Sequence, residues 1–213
     1  MDFLKYDGKF NKFMTGFVDF LILNIFFLIC CIPIITIGPA LNGMYTVLFK
    51  EVRNEHSPFI KTFKKGFFED TKKSIIIFLI YLILGFILSF SLIFWATLGT
   101  LVSTVITVII GILCIIYLLS LCYVFALNSR FENKVLVTIK NSILLSLANP
   151  LRSIFMLLII AIVICMGYFV PLFRLLIPLI GFSYILYCHV YIIEKVFLKL
   201  PGYEEAEKDD KTP

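Results

Sequence analysis

Residues 74–129 read SIIIFLIYLILGFILSFSLIFWATLGTLVSTVITVIIGILCIIYLLSLCYVFALNS, and this stretch decides the fold. It contains no aspartate, glutamate, lysine or arginine, and nearly all of its side chains are apolar. A helix needs about 20 apolar residues to cross a hydrocarbon layer that is about 30 Å thick. The stretch is too long for one crossing and has the right length for two, so it predicts a transmembrane hairpin.

The rest of the chain is nearly as apolar. Of its 213 residues 61% are hydrophobic, and its mean hydropathy is +1.02, which lies far outside the range of soluble proteins. The predicted spans are about residues 17–37, 74–98, 101–127, 154–170 and 175–197. The sequence therefore predicts an all-α, polytopic membrane helical bundle of about five transmembrane helices. They form a single transmembrane domain over residues 1–203, followed by a disordered, charged tail over residues 204–213.

The basic residues indicate an orientation in the membrane. They cluster in the connections 50–73 and 130–152, whereas the tight connections near Gly99 and Pro171 carry almost none. Lysine and arginine concentrate in cytoplasmic loops, so with five spans the amino terminus is outside and the carboxyl terminus is cytoplasmic. The same clustering accounts for the net charge of +5 without a nucleic-acid partner. We predict membrane lipid as a partner and no nucleic acid.

The first apolar segment leaves two arrangements open. A continuous helix over residues 17–49 would be about 50 Å long, which overshoots the bilayer. Pro33 and Pro39 interrupt it, and Thr36 is placed to satisfy the carbonyls that they free. Either the helix bends at Pro33 and continues along the cytoplasmic surface, or it folds back as a re-entrant pair that would put the amino terminus inside. We expect the bend.

Two helices in the basic connections are predicted to lie on the membrane surface. Ser57-Pro58 is a typical helix start, since serine caps the helix and proline fits its first position. Apolar residues then recur on one side and lysines on the other, as in a basic amphipathic helix in the headgroup plane. The apolar residues are Phe59, Ile60, Phe63 and Phe67, and the lysines are Lys61, Lys64, Lys65 and Lys72. A weaker second helix carries Val135, Ile139, Ile143 and Leu147 at intervals of four residues.

Small residues recur every four positions in two of the spans. They are Gly99, Ser103, Thr107 and Gly111 in the third span, and Gly85 and Ser89 in the second. Such stripes let helix backbones approach closely, which is the usual basis of packing inside membranes. We interpret them as helix-packing positions within the chain, with a homo-oligomer interface as the alternative.

Catalytic and metal-binding patterns are missing from the sequence. The six cysteines all fall inside apolar spans, where a thiol behaves as a small hydrophobic group. The two histidines, His56 and His189, are far apart in the chain, and no span carries the central carboxylate that ion-coupled transporters normally use. We therefore predict a protein that is not an enzyme, with no catalytic residues, no metal site and no cofactor.

Several motifs resemble a known family. In chain order they are P-I-I-T-I-G-P-A at residues 33–40, R-N-E at 53–55, F-I-K-T-F-K-K at 59–65, and the stretches 123–132, 138–142 and 178–181. Over about residues 3–200 the chain is similar to the YesL family, which comprises small integral membrane proteins of Gram-positive bacteria with a domain of unknown function. The resemblance implies a multi-pass protein of the bacterial cytoplasmic membrane.

The resemblance also implies a context. Members of the family are typically encoded beside ABC importers for oligosaccharides and beside polysaccharide-degrading enzymes. The leading hypothesis is therefore a non-enzymatic accessory protein that binds the membrane subunits of a carbohydrate ABC importer. The residues expected to carry this role are Asn24, Pro33, Thr36, Gly38, Pro39, Arg53 and Asn54 in the kinked first span, and Phe59, Lys61, Phe63, Lys64 and Lys65 as the docking surface.

An uncoupled transporter or small channel for a neutral solute is the alternative. It would need a polar cavity within the membrane, and the candidate lining residues are Asn24, Thr36, Asn42, Tyr81 and Tyr184. A dry interface between helices at these positions would argue against it.

Overall fold

The computed structural model describes residues 9–55 and 57–200, and within these ranges the chain is helical with no strand. The helices are α1 (Lys9–Cys30), α2 (Ile37–Val52), α3 (Phe59–Glu69), α4 (Thr71–Thr97), α5 (Leu101–Arg130), α6 (Val135–Ala148), α7 (Pro150–Phe169), α8 (Pro171–Leu176) and α9 (Phe182–Phe197). A 3₁₀ turn, Ile34–Thr36, precedes α2, and a π-helical segment, Ile177–Gly181, joins α8 to α9. The predicted all-α class is confirmed. The predicted tail, residues 204–213, lies outside the described residues.

Four helical stretches are long and apolar enough to cross a membrane. They are Thr71–Thr97, Leu101–Arg130, Pro150–Phe169 and Ile177–Phe197, and they lie where the second to fifth spans are predicted. The first two form the hairpin, which turns at Gly99 with a positive φ of 65°. Thr100 then caps α5: its hydroxyl accepts from the backbone N–H of Ser103, whose own hydroxyl accepts from the backbone N–H of Thr100.

The first predicted span, residues 17–37, is not one helix. α1 ends at Cys30, and its apolar part, Gly16–Cys30, is shorter than the roughly 20 residues that a crossing requires. The backbone is irregular up to Thr36, because Pro33 has no N–H to donate to a preceding turn. The Thr36 hydroxyl lies 2.6 Å from the carbonyl oxygen of Cys30 and 2.7 Å from that of Pro33, so it can satisfy either one.

α1 runs antiparallel to α9. The ring of Phe20 lies 5.3 Å from that of Tyr187, whereas the ring of Phe27, two turns later, lies 5.8 Å from that of Phe182. Increasing residue numbers in α1 therefore meet decreasing numbers in α9. The apolar part of α1 therefore begins nearer the end of α9 and runs toward its start.

α2 runs back past α1 after the turn. The ring of Phe63 in α3 lies 6.4 Å from that of Phe26, and a Cβ atom added to Gly43 would lie 3.1 Å from the same Phe63 ring. α1 ends with Phe27 beside Phe182, at the start of α9, whereas α2 ends with Phe49 beside Phe197, at the end of α9. The chain therefore folds back as in the second of the two arrangements weighed above, a re-entrant pair, and the expected bend along the surface is not formed.

α2 is buried rather than exposed at a surface. It packs against α3, α4, α5 and α9, and ten of its residues are buried: Gly38, Pro39, Ala40, Asn42, Gly43, Met44, Tyr45, Val47, Leu48 and Phe49. Its start meets α4 at Gly38, where an added Cβ would lie 2.8 Å from the Cβ of Phe78 and would overlap the Ser74 carbonyl. Its end meets α9, where the rings of Phe49 and Phe197 stack at 5.8 Å.

The predicted apolar face of α3 does not dip into lipid. Phe63 is 2% exposed, and Thr62 and Gly66 are buried with it, because this face packs on α2 and α1. A Cβ on Gly66 would lie 2.7 Å from the Cβ of Thr46, so the two helices cross at close range. The opposite face stays exposed, with Lys61, Lys64 and Lys65 on it.

α6 packs on the bundle through polar residues, a contact that the apolar periodicity does not predict. Its buried side is a stripe of small hydroxyl residues, Thr138, Ser142 and Ser146, and it packs mainly against α5. Of the predicted apolar set, Val135 and Ile139 are partly buried, whereas Ile143 and Leu147 are exposed. The reason is size: short hydroxyl side chains satisfy themselves on their own helix and allow a close approach that leucine would block.

The predicted packing stripe holds at one position in α4. The hydroxyl of Tyr117 donates to the carbonyl of Tyr81 at 3.0 Å, and its ring carbon Cζ would lie 3.1 Å from a Cβ on Gly85. Ser89, one turn further, is exposed. The hairpin helices therefore pack closely at Gly85 and not at Ser89.

The predicted stripe in α5 does not form a helix interface. A Cβ added to Gly99 or Gly111 would meet no atom within 4 Å. Ser103 is used in the cap of α5, and the Thr107 hydroxyl donates to the carbonyl of Ser103 at 2.8 Å, within its own helix. The periodicity at these positions reflects the turn and the cap rather than a neighbouring helix.

A glycine substitution tests the close approach of α2 and α4. We expect Gly38→Ala to lower stability by about 1–3 kcal/mol, because the new methyl group would displace the backbone of α4 at Ser74. Gly111→Ala is the matched control, since it has open space and alanine favours a helix. Thermal unfolding of the two variants in the same detergent measures the difference. Equal melting temperatures for G38A and G111A would contradict the described contact.

A candidate polar cavity

A polar cavity of about 850 Å³ lies where α2, α3, the start of α4 and the end of α5 meet. Its lining residues are Asn42, Thr46, Lys50, Arg53, Glu55, Thr62, Lys65, Glu69, Asp70, Lys73, Asn128, Ser129, Arg130, Phe131, Glu132, Asn133 and Lys134. Six of these residues are basic, four are acidic, and Phe131 alone is apolar. The volume falls within the range of about 300–1,000 Å³ that is usual for small-molecule sites.

A buried pair of amides holds this end of the bundle together. Asn42 donates through Nδ2 to the carbonyl of Gly66 at 2.8 Å, and its Oδ1 accepts from Nδ2 of Asn128 at 2.9 Å. The same Asn128 Nδ2 donates to the hydroxyl oxygen of Ser74, also at 2.9 Å. Because these four residues belong to α2, α3, α4 and α5, the amides join four helices at one point.

The Oδ1 atom of Asn128 has no hydrogen-bond partner among the described residues. The orientation of this amide follows from the network, because the Gly66 carbonyl requires the Nδ2 of Asn42 and so leaves Oδ1 to face Asn128. Asn128 is 2% exposed and lines the cavity. A buried acceptor without a donor is uncommon in proteins. This one makes Asn128 a candidate for binding a hydrogen-bond donor at the cavity.

A buried ion pair closes the other end of α2. The guanidinium of Arg53 binds both carboxylate oxygens of Glu194 in α9, at 2.9 and 3.2 Å, and these side chains are 7% and 9% exposed. Asn54 follows with a positive φ of 57°, a conformation that asparagine tolerates at a helix end. The backbone N–H of Glu55 donates to the carbonyl of Lys50 at 2.9 Å, which completes the end of α2.

The other charges of the cavity are only partly paired. Lys73 lies 3.7 Å from Asp70 and donates to the carbonyl of Phe131 at 3.4 Å. Lys65 and Glu69 form an exposed pair at 3.9 Å. Lys50 and Lys134 also line the cavity, and within the described part of the chain neither has an ion-pair partner closer than 4.0 Å.

The polar residues proposed for a membrane cavity do not meet. Asn24 binds the π-helical segment and α9: its Nδ2 donates to the carbonyl of Pro178, and its Oδ1 accepts from the backbone N–H of Ser183 at 3.2 Å. Tyr184 lies beside Phe20 and is exposed. Of the five candidates, Asn42 alone lines the polar cavity described here.

Tyr81 belongs to a separate buried cluster. Its hydroxyl bonds to that of Ser120 and lies 3.1 Å from that of Ser142, and the two serine hydroxyls are 2.8 Å apart. These bonds join α4, α5 and α6 without lining the polar cavity. Like the bonds of Asn24, they are direct contacts between side chains of neighbouring helices.

His189, the deepest ionisable group identified in the sequence, packs between helices. Its Nε2 lies 3.1 Å from the carbonyl oxygen of Met156 in α7, and the residue is buried. In the described part of the chain, no three His, Cys, Asp or Glu side chains are grouped closely enough to hold a metal ion.

Sequence reasoning overlooked most of the cavity. Asn128 and Ser74 lie near the two ends of the charge-free stretch. A polar side chain at the end of a long apolar run could have indicated a buried polar contact there. Lys50 and Lys73 were interpreted only as parts of a cytoplasmic charge cluster. Arg53 and Asn54 are among the candidate residues predicted from the sequence, and both lie at the end of α2. Arg53 forms the ion pair with Glu194 of α9, and Asn54 ends the helix with a positive φ.

Comparison with known proteins gives a similarity over the first part of the chain. The family described as "Protein of unknown function, DUF624" matches residues 20–92, which contain the second half of α1, all of α2 and α3, and most of α4. No curated protein and no solved structure matches the chain. The similarity covers the re-entrant pair and one wall of the cavity, and it points to a membrane protein of unknown function.

The ion pair makes a specific stability prediction. Arg53→Met leaves the Glu194 carboxylate buried without its partner, so we expect a loss of about 3–5 kcal/mol in unfolding free energy. Glu194→Met should cost a similar amount for the same reason. The double variant removes both charges and should be more stable than either single variant. Denaturation of the three proteins in one detergent measures this, and additive losses would contradict a direct pair.

Proposed function

We propose that the chain is a non-enzymatic accessory protein of the bacterial cytoplasmic membrane, which binds the membrane subunits of a carbohydrate ABC importer. The observation that carries this proposal is the outer face of α3. Lys61, Lys64 and Lys65 are exposed there, beside Ile60 and Phe68, which are 42% and 71% exposed. We call these five residues the α3 surface.

The α3 surface is suited to binding because it is held rigidly. The opposite side of the helix is fixed by Phe63 against Gly43 and by the bond from Asn42 to the Gly66 carbonyl. A surface that is already ordered loses little conformational entropy on binding. Three lysines beside two exposed apolar side chains favour a partner surface that is acidic around an apolar centre.

The proposed orientation puts the α3 surface in the cytoplasm. Lysine and arginine concentrate in the connections 50–73 and 130–152, which favours a cytoplasmic position for both. Because α1 and α2 form a re-entrant pair, four crossings remain, and the amino terminus would then lie in the cytoplasm with the carboxyl terminus. This differs from the orientation expected from five spans.

The carbohydrate part of the proposal rests on the resemblance to the YesL family and its genomic context. The structural part rests on the α3 surface, which lies within the residues that match the DUF624 family. An uncoupled transporter receives less support, because Asn24 and Tyr184 lie at the contact between α1 and α9, whereas Tyr81 belongs to a separate buried cluster, and none of the three lines the polar cavity. We propose no catalytic role for any residue.

Charge reversal on α3 tests the proposal. The double variant Lys61→Glu/Lys64→Glu should reduce co-purification of importer membrane subunits at least about tenfold from cross-linked membranes of the native host, because repulsion replaces attraction at the contact. Both lysines are exposed and make no ion pair among the described residues, so the variant should insert and fold normally.

Lys140→Glu/Lys199→Glu is the matched control, since it changes the net charge equally at exposed lysines outside α3. It should leave co-purification unchanged. Equal recovery of the importer subunits with both double variants would refute the docking surface. Recovery of no importer subunit with the unaltered protein would refute the proposed partner.

A further inference from the structure

We propose that the polar cavity binds a phosphate ester that carries free hydroxyl groups. The site overlaps the α3 surface only at Lys65, because Lys61, Lys64, Ile60 and Phe68 do not line it. Its other lining residues belong to α2, the inner side of α3, the start of α4, the end of α5 and residues 131–134.

Two lysines recognise the anionic part of the ligand. Lys50 belongs to α2 and Lys134 directly precedes α6, so their ammonium groups come to the cavity from different elements. Neither has an ion-pair partner in the described residues, whereas Arg53 and Lys73 are already paired with Glu194 and Asp70. Two lysines at one cavity that are not held in an ion pair favour a phosphate, whose oxygens accept strong charge-assisted hydrogen bonds.

Two acceptors recognise the hydroxyl part. The buried Oδ1 of Asn128 has no donor in the described structure. The Glu132 carboxylate also lines the cavity, and it has no ion-pair partner among the described residues. Both groups accept hydrogen bonds, and a polyhydroxylated ester supplies hydroxyl donors on carbon atoms beyond its phosphate, whereas the donors of inorganic phosphate are on the anion itself.

The composition of the cavity excludes a mainly apolar ligand. Among the described lining residues Phe131 alone is apolar, and polar atoms form the larger part of the lining surface. A ligand bound there must therefore be polar over most of its surface. Two sources share the required chemistry: a soluble hydroxylated phosphate ester, and the glycerophosphate headgroup of an anionic phospholipid at the membrane surface.

Binding to the purified full-length chain tests the assignment. The protein is placed in nanodiscs of phosphatidylcholine and titrated with glycerol 3-phosphate, with glycerol and inorganic phosphate as comparison ligands. In a second arm, native mass spectrometry compares retention of phosphatidylglycerol with that of phosphatidylcholine. We expect glycerol 3-phosphate, phosphatidylglycerol or both to bind more tightly than their comparison ligands, and the arm that responds identifies the source.

The variant Lys50→Gln/Lys134→Gln should weaken this binding at least about tenfold, because each lysine loses a charge-assisted hydrogen bond. Lys72→Gln/Lys140→Gln removes the same charge at exposed lysines outside the cavity and should have little effect. Melting temperatures check that both proteins are folded, and if K50Q/K134Q is unstable, the single variant K134Q decides.

Three results would overturn the proposal. The first is that neither ester binds better than glycerol and phosphatidylcholine. The second is that the two double variants weaken binding equally, which would indicate only a general attraction between charges. The third is that inorganic phosphate binds as tightly as glycerol 3-phosphate and phosphatidylglycerol is not retained, which would leave Asn128 and Glu132 without a role.

Discussion

The structure depends on one reversal of the chain, which the Thr36 hydroxyl stabilises against the carbonyls of Cys30 and Pro33. Without this turn, the apolar residues after Pro33 would continue away from the bundle. With it, α2 returns between the other helices and brings Asn42 to the point where α3, α4 and α5 meet. A hydroxyl group is well suited to this task, because backbone carbonyls in an apolar environment require a donor within the protein.

The position of α2 links the cavity and the α3 surface. Gly43 and Gly66 let α2 and α3 cross at close range, and this fixes the outward direction of the lysines on α3. The same crossing leaves the far end of α2, with Lys50 and Arg53, beside the end of α5. A change that separates the two helices would therefore disturb both features together.

The sequence was sufficient to locate the long apolar helices, but it did not determine how the shorter helices pack against them. Hydropathy and charge located α4, α5, α7 and α9, because a crossing requires a run of apolar residues of fixed minimum length. The re-entrant pair was only one of two arrangements, since a proline-rich break shows where a helix stops and not where the chain goes next. The direction that the chain takes after a helix ends depends on tertiary contacts, such as that between Gly38 and α4.

The candidate site was harder to predict than the fold for a related reason. Arg53 was selected from a local motif, but its partner Glu194 is distant in sequence. Asn128 was overlooked because its role depends on hydrogen bonds to Asn42 and Ser74, which belong to other helices. On α6 the apolar periodicity did not identify the side that packs on α5, because hydroxyl groups that bond to their own helix behave as small packing residues.

A turn at Pro33 together with four crossings predicts that both termini lie on the same side of the membrane. Epitope tags at the amino and carboxyl ends, probed by protease in right-side-out and inverted membrane vesicles, measure this directly. The re-entrant pair with four crossings predicts that both tags are cleaved in inverted vesicles and protected in right-side-out vesicles. Cleavage of the amino-terminal tag in right-side-out vesicles alone would mean five crossings and would contradict the described turn.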